Sequence, residues 1–394
     1  MIIVGAGLAG LITAWRCLDS NPDLDITVIT SADKLAGNQI WSFNMDDILP
    51  ELAQWASPFI KREWPCYDVK FPSKNRTLNI PYCYSDSQTL IACVQPFLDN
   101  GRLTVKFNSR VTDLNLQSVT LENGETIGAH YVVDARGFKP RCGVVYAYKQ
   151  IMGRIIRTKQ AHNIANPIVM DACSMGKLSE QVDGFQYIYC LPISGDEILV
   201  EAICYSDNQA QDETAAAARI DAYIQAQNWD VVETSYQEIG TLPVTLASDM
   251  DLDNIDIDKT AQATKVGMRC GYYHAVTGYS FAEVLKSALV IDEYIQADGG
   301  NYAHGAAREM NQHEIDHFRE EKFLRLFNRR MFRGLKPEHR YRVFAHIYDQ
   351  PEDFIARFYR GRMQRNDKLK LLSLKSPVSI FTTLKYAKDG SVSN

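Results

Sequence analysis

The segment Gly5-Ala-Gly7-Leu-Ala-Gly10 limits what this chain can fold into more than any other feature in it. It follows a short apolar stretch, Ile2–Val4, and leads into a helical pattern over Leu11–Leu18; Ile26–Ile29 then reads as a second strand. Strand, glycine turn, helix and strand in that order make a βαβ unit, which implies a parallel sheet with helical crossovers. In a G-x-G-x-x-G turn the glycines permit a sharp bend, close approach of backbone N–H groups to a pyrophosphate, and tight helix–strand packing. The helix N-terminus adds partial positive charge facing the anion. Gly5, Gly7 and Gly10 are therefore candidate dinucleotide-binding residues, the alternative being a purely structural glycine turn. The fingerprint also expects an acidic residue at the end of the second strand to hold ribose hydroxyls. Here Thr30 and Ser31 follow Ile29, which leaves Asp33 as the substitute and Thr30 as a weaker one.

Beyond this unit the texture changes twice. Residues from Trp41 to about Asn79 are rich in aromatics and prolines with weak periodicity, as expected of irregular structure and strands over a pocket. Asp86–Leu98 has a helical pattern, Val105–Gly124 alternates as strands do, and Ala129–Asp134 is an apolar strand ending near Arg136-Gly137. From Gly143 to Thr245 strands dominate, at Ile151–Ile156, Pro167–Met170, Phe185–Leu191 and Glu197–Ile203, with one helix over Asp212–Gln227. Helical patterns fill almost everything after Asn301. The expected division is a dinucleotide-binding domain of residues 1–142 with 262–300, a β-rich substrate domain of 143–261, and a helical C-terminal region of 301–394. A chain of 394 residues has room for these parts.

Several function classes are disfavoured by composition. No apolar run approaches the ~18 residues of a membrane span. The apolar N-terminus lacks a basic n-region and is broken by three glycines, so it reads as a buried strand and not a signal sequence. Nine scattered cysteines without C-x-x-C fit free thiols in a reducing, cytoplasmic setting. His313-Glu-Ile-Asp-His317 has the H-E-x-x-H spacing of a zinc site, yet Arg308, Glu309, Arg319 and Glu320 around it suit an exposed helix face, and no metal is expected. Charge is uneven: 19 Lys and Arg against 11 Asp and Glu from Asn301 onward give +8 on a chain of net −6. No nucleic-acid motif accompanies this charge. Because Phe323, Leu324, Leu326, Phe327, Met331 and Phe332 interleave with Lys322, Arg325, Arg329, Arg330 and Arg333, the segment predicts an amphipathic helix on a membrane surface. A core-packed helix with a solvated basic face is the alternative.

Three longer motifs narrow the reading: Trp41-Ser42-Phe43, Thr277-Gly278-Tyr279-Ser280, and Pro351-Glu-Asp-Phe-Ile-Ala-Arg-Phe-Tyr359. With them stand Gly37-Asn38, Asp46-Asp47, Trp64-Pro65, Val133–Gly137, Ile168-Val-Met-Asp171 and Leu242-Pro243. Over nearly its full length the chain resembles bacterial lycopene β-cyclases. The resemblance implies an α/β fold: a glutathione-reductase-type FAD-binding Rossmann domain, like that of p-hydroxybenzoate hydroxylase, with an antiparallel-sheet substrate domain and a helical C-terminus. It implies FAD in the reduced state with NADPH as electron donor, and places Arg136, Gly137 and Gly278 near the cofactor. The implied substrate is an apolar polyene such as lycopene, closed at its ends into β-type rings without net oxidation. The setting would be cytoplasmic, peripherally attached to the inner face of the membrane.

The family's acid lies in a strand of the form apolar-apolar-apolar-Glu, here Ile198-Leu199-Val200-Glu201. A lone carboxyl in an apolar run has its ionised form disfavoured by burial, which raises its pKa toward the range a general acid needs. The competing reading is a strand residue turned to solvent by alternation. Trp41, Phe43, Tyr189 and Tyr279 are candidate pocket walls whose ring faces stabilise a carbocation, and His274 is a second catalytic candidate. Beside the acid the chain departs from the family pattern, with Ala202-Ile203 in place of Asp-Thr and His274-Ala275 in place of His-Pro. Such departures leave open a flavin-dependent monooxygenase or desaturase, or a non-catalytic flavin- or carotenoid-binding relative.

Overall fold

The computed structural model describes residues 1–173, 184–248, 263–297 and 302–372. The expected boundaries at 261–262 and 300–301, and the last 22 residues of the basic region, lie outside that set.

A five-stranded parallel sheet forms around the N-terminal strand, in the order Thr264–Lys265, Val132–Asp134, Ile2–Val4, Ile26–Ile29, Leu103–Lys106. Ile3, Val28 and Val133 are fully buried because helices cover the sheet, as the continuous apolar runs required. The helix Leu8–Ser20 packs on Phe281–Ala297, and the buried carboxylate of Asp292 is satisfied by Arg16 at 2.8 Å and Asn21 at 2.9 Å. The helix Ser87–Asp99 is capped by Asp86, which accepts from the Thr89 N–H at 2.9 Å.

A seven-stranded sheet forms the second layer, in the order Val231–Ser248, Val144–Thr158, Glu197–Ser206, Phe185–Pro192, Ile168–Asp171, Tyr67–Phe71, Lys74–Leu78. The last two strands come from residues assigned by sequence to the first domain, so residues 1–142 do not keep to the nucleotide-binding part. The reason is pairing: Tyr67–Phe71 runs parallel to Ile168–Asp171 and satisfies its free edge. The stretch between Trp41 and Asn79 also forms a small antiparallel sheet, Ile40–Asn44 and Arg62–Trp64 on either side of Tyr82–Asp86. Sequence reading did not find the 18-residue strand Val231–Ser248, whose first half is largely exposed.

Both faces of the large sheet are covered. Val200 and Ala202 pack under the helix Glu213–Ala226, while Leu199, Ile203 and Tyr205 face the C-terminal helices. One of those helices corrects the membrane expectation. In Lys322–Gly334, Arg325, Arg329 and Arg330 are buried together with Leu324, Phe327 and Met331. Their guanidinium groups serve backbone carbonyls: Arg325 reaches Phe318, Arg329 reaches Leu246 and Arg330 reaches Leu371. Asn328, from the same helix, donates to the carbonyls of Thr245 and Ala275. The interleaved cations are internal donors that close strand and loop ends, and the helix is not a membrane-facing surface.

Candidate active site

The glycine turn has the geometry its spacing requires. Gly5 adopts φ +113°, and a Cβ there would lie 2.5 Å from the carbonyl oxygen of Ala135. At Gly10 a Cβ would lie 2.0 Å from the Gly5 carbonyl oxygen, so only glycine lets the helix sit against the turn. Gly7 precedes the helix with no side-chain cap, and the space where its Cβ would stand is open. An uncapped 13-residue helix ending on open space is a donor set suited to a pyrophosphate. Thr30 and Ser31 line the adjoining cavity; Asp33 is exposed and does not, so it is withdrawn as the ribose-binding substitute. Arg136 and Gly137 are on the wall, with Arg136 forked onto Asp134 at 2.8 Å through both Nε and Nη2. Burial works against the charge on Asp134, but Arg136 and Arg269 prevail and hold its pKa below the usual range.

The cavity measures about 1550 Å³ and runs from the glycine turn to the large sheet. A pocket for one drug-sized ligand spans roughly 300–1,000 Å³, so this one has room for a dinucleotide and part of a second molecule. Trp41 and Phe43 line it, Phe43 resting on Phe281 with ring centroids 4.2 Å apart. Tyr189 is displaced from its expected place: it is fully buried one layer back, and Tyr82, whose hydroxyl lies 3.2 Å away, takes the wall position.

Glu201 does reach the cavity. Its side chain shares the face of Leu199 and Ile203, and it is 8 % exposed. Alternation fails to turn it to solvent because neither face of this strand is open. The adjacent strand carries Gly153 opposite Glu201, and the strand beyond carries Glu238 opposite the same glycine. A Cβ at Gly153 would lie 3.1 Å from Cγ of either glutamate. Its absence lets the two carboxyls meet over the middle strand, where they are hydrogen-bonded. Burial, then the charge of Glu238, pushes Glu201 well above the ordinary carboxylate range, with Lys149 opposing. Burial also raises Glu238, less strongly, since it accepts from Glu201, the Tyr236 hydroxyl (2.9 Å) and the Ile40 N–H. Buried Lys149 lies on the Tyr279 ring face, 4.2 Å from the centroid, and donates to the Tyr279 hydroxyl at 3.1 Å.

His274 is corrected as a proton carrier. Nε2 is 2.9 Å from the Phe358 carbonyl and Nδ1 is 3.2 Å from the Thr277 hydroxyl, so both ring nitrogens are used. Burial, above all, pulls its pKa down to about 4, which keeps the ring neutral. It pins the turn carrying Gly278, where φ is +72° and a Cβ would stand 2.6 Å from Leu242 Cβ. Glu321 holds the same turn from the other side by accepting from the Ala275 N–H at 2.7 Å, and burial pushes it up to about 7. Asp47, half-buried on the cavity wall near Arg360, is also pushed up by desolvation, to about 6.

Of the residues sequence reading passed over, Glu238, Gly153 and Lys149 matter most. Gly153 was the available signal, since a glycine inside a long strand marks close approach by another group.

A family model described as "Lycopene cyclase protein" matches residues 1–385. The chain belongs to the lycopene cyclase family. Within the family it is 32 % identical over 392 residues to the lycopene beta-cyclase of Pantoea ananas, covering 98 % of this chain and 96 % of that one. Identity to the lycopene beta-cyclase of a Paracoccus strain is 32 % over 385 residues, covering 98 % and 96 %. Among solved structures the fold is similar to a geranylgeranyl bacteriochlorophyll reductase-like protein of Thermoplasma acidophilum, with TM-score 0.64, 14 % identity and 98 % of each chain covered. It is also similar to a probable FAD-dependent monooxygenase of Pseudomonas aeruginosa, with TM-score 0.56, 14 % identity, and 89 % and 99 % of the chains covered. At that identity these two show the fold alone: α/β, with parallel and antiparallel sheets and a helical C-terminal part.

Proposed function

We propose that this lycopene cyclase closes β-type rings at the ends of lycopene by acid catalysis, with Glu201 as the acid. The observation that carries the assignment is a buried carboxyl, held protonated by burial and a neighbouring carboxylate, on the wall of a large aromatic-lined cavity. Glu201 gives its proton to the terminal double bond, leaving a tertiary carbocation. The π pair of a nearby alkene forms the ring carbon–carbon bond, and loss of a ring proton completes the β end group. Redox state is unchanged from substrate to product. Trp41, Tyr82 and Tyr279 turn ring systems toward the cavity, where they stabilise cationic carbon and exclude water. A positioned acid of this kind is worth about 10²–10⁴ in rate.

The glycine turn, Thr30 and Ser31, and Arg136-Gly137 are the groups proposed to hold FAD. Reduced FAD, kept so by NADPH, would supply an anionic ring system that stabilises the cation electrostatically. The substrate's insolubility in water supports peripheral attachment at the cytoplasmic face of the membrane. With Lys322–Gly334 packed inside, the exposed basic helix Arg365–Leu372, with Leu369 66 % exposed, is the surface proposed for it. The function is tested with purified protein, lycopene in vesicles and pre-reduced flavin. Product of unchanged mass, with NADPH or oxygen consumed far below product formed, is the expected result; stoichiometric consumption would indicate a redox enzyme instead.

A further inference from the structure

Glu238 stands where a second carboxylate has no structural need to be. A strand residue at the sheet edge has solvent available on its outer face, and the neighbouring residues of this strand, Gln237 and Ile239, are exposed. Glu238 instead points inward onto the cavity wall, across Gly153, against Glu201. Its Oε2 is fixed by the Tyr236 hydroxyl at 2.9 Å and the Ile40 N–H at 3.4 Å, so the carboxyl has a single orientation, with Oε1 beside Gly153. With Glu201 buried and Glu238 half-buried, two carboxyls brought this close disfavour each other's ionisation, which favours one proton being held between them.

Resting on the acid role assigned to Glu201, we propose that Glu238 is the second carboxylate of the ring closure: the two glutamates form a dyad that gives one proton to the terminal double bond and takes one back from the ring. In the first step the Glu201 O–H bond breaks and a C–H bond forms from the alkene π pair, leaving a carbocation facing two carboxylates. After the ring bond forms, a ring C–H bond breaks, its electron pair becomes the ring double bond, and the proton returns to the dyad. Protons and electrons balance over the cycle, and no co-reactant is needed. The paired negative charge is largest while the carbocation exists, which is when stabilisation accelerates the reaction. The other groups facing the pair are Lys149 from the middle strand, Tyr236 from the strand of Glu238, and Tyr187 and Tyr189 from the strand beyond Glu201; Tyr82 from the small sheet bonds Tyr189, and Tyr279 from the turn after His274 bonds Lys149. Burial raises the phenols of Tyr82, Tyr187, Tyr189 and Tyr236, so these four stay neutral where the carboxyls titrate.

The test compares wild type, E201Q and E238Q in two measurements on the full chain. One is the pH profile of lycopene cyclisation; the other is the infrared band of the protonated carboxyl, followed against pH without substrate. E238Q is expected to lower kcat by about 10²-fold or more with KM changed less than about threefold. Its alkaline limb and its carboxyl band should both move to lower pH, because the charge that kept Glu201 protonated is gone. G153A, which pushes the two carboxyls apart, should move the same way less far. E238Q with wild-type kcat and an unmoved alkaline limb overturns the dyad, whatever E201Q does. If wild type forms no ringed product while the carboxyl band still moves in E238Q, the shared proton stands and the cyclase reading falls. A fold-damaged variant would show a changed far-ultraviolet spectrum and loss of the band, against which E238Q and G153A are each the other's control.

Discussion

The glycine turn at the N-terminus and the carboxyl pair on the large sheet are both built around missing side chains, yet they reach that point by different routes. At the turn, Gly5, Gly7 and Gly10 lie within six consecutive residues; the contacts that demand Gly10 are local, to Gly5 and Ile3, while Gly5 is also required by the close approach of Ala135 and Arg136. On the sheet, Glu201, Gly153 and Glu238 come from three strands that become neighbours only when the fold is complete. A phosphate site made from backbone donors survives as a short motif. A proton site made by cross-strand register has no motif, because its residues are fixed relative to each other by pairing and not by spacing.

The sharpest way to break this contrast is to remove the acid: Glu201→Gln should cut cyclisation by about 10²–10⁴-fold while leaving flavin binding intact. Retained activity would take the sheet out of the chemistry. Next in size are two glycines of the turn with opposite consequences. Gly10→Val puts carbon into the Gly5 carbonyl and should cost the fold several kcal/mol, read as a lost or strongly lowered thermal transition. Gly7→Val meets only open space, so it should leave the melting temperature near wild type and lose bound FAD, measured by flavin absorbance after reconstitution. Equal effects from the two would show that the turn is structural throughout.

A smaller effect comes from Glu321. Its folded pKa of about 7 exceeds the model-peptide carboxylate value, so the folded chain binds the extra proton and stability is lost as pH rises from about 4.5 to 7. Glu321→Gln should flatten that slope, by on the order of 2–3 kcal/mol over the window, in denaturant melts at a series of pH values. The smallest effect is at Asp33, where alanine should leave FAD affinity within experimental scatter. A clear loss would return the ribose contact to that residue.

How much was legible follows the same division. The βαβ unit, the helix capped by Asp86 and the strand of Glu201 could be read because each carries its signal in consecutive residues. The basic C-terminal helix was misread because composition does not say what an arginine will face; here Arg325, Arg329 and Arg330 meet buried carbonyls. His274 was read as a candidate proton carrier from its place five residues before Tyr279, but its ring bonds to Phe358, 84 residues away, which no local pattern announces. Glu238 was passed over because the first half of its strand is largely exposed, and its inward position depends on a register set by Val144–Thr158.

The central claim is that a protein-held proton enters the hydrocarbon and another leaves it. Cyclisation run in D2O with pre-reduced flavin reads this directly in the mass of the product. The account predicts one deuterium for each ring closed, and none in the Glu201→Gln protein. Ringed product free of deuterium, or product differing from lycopene by a pair of hydrogens, would contradict it.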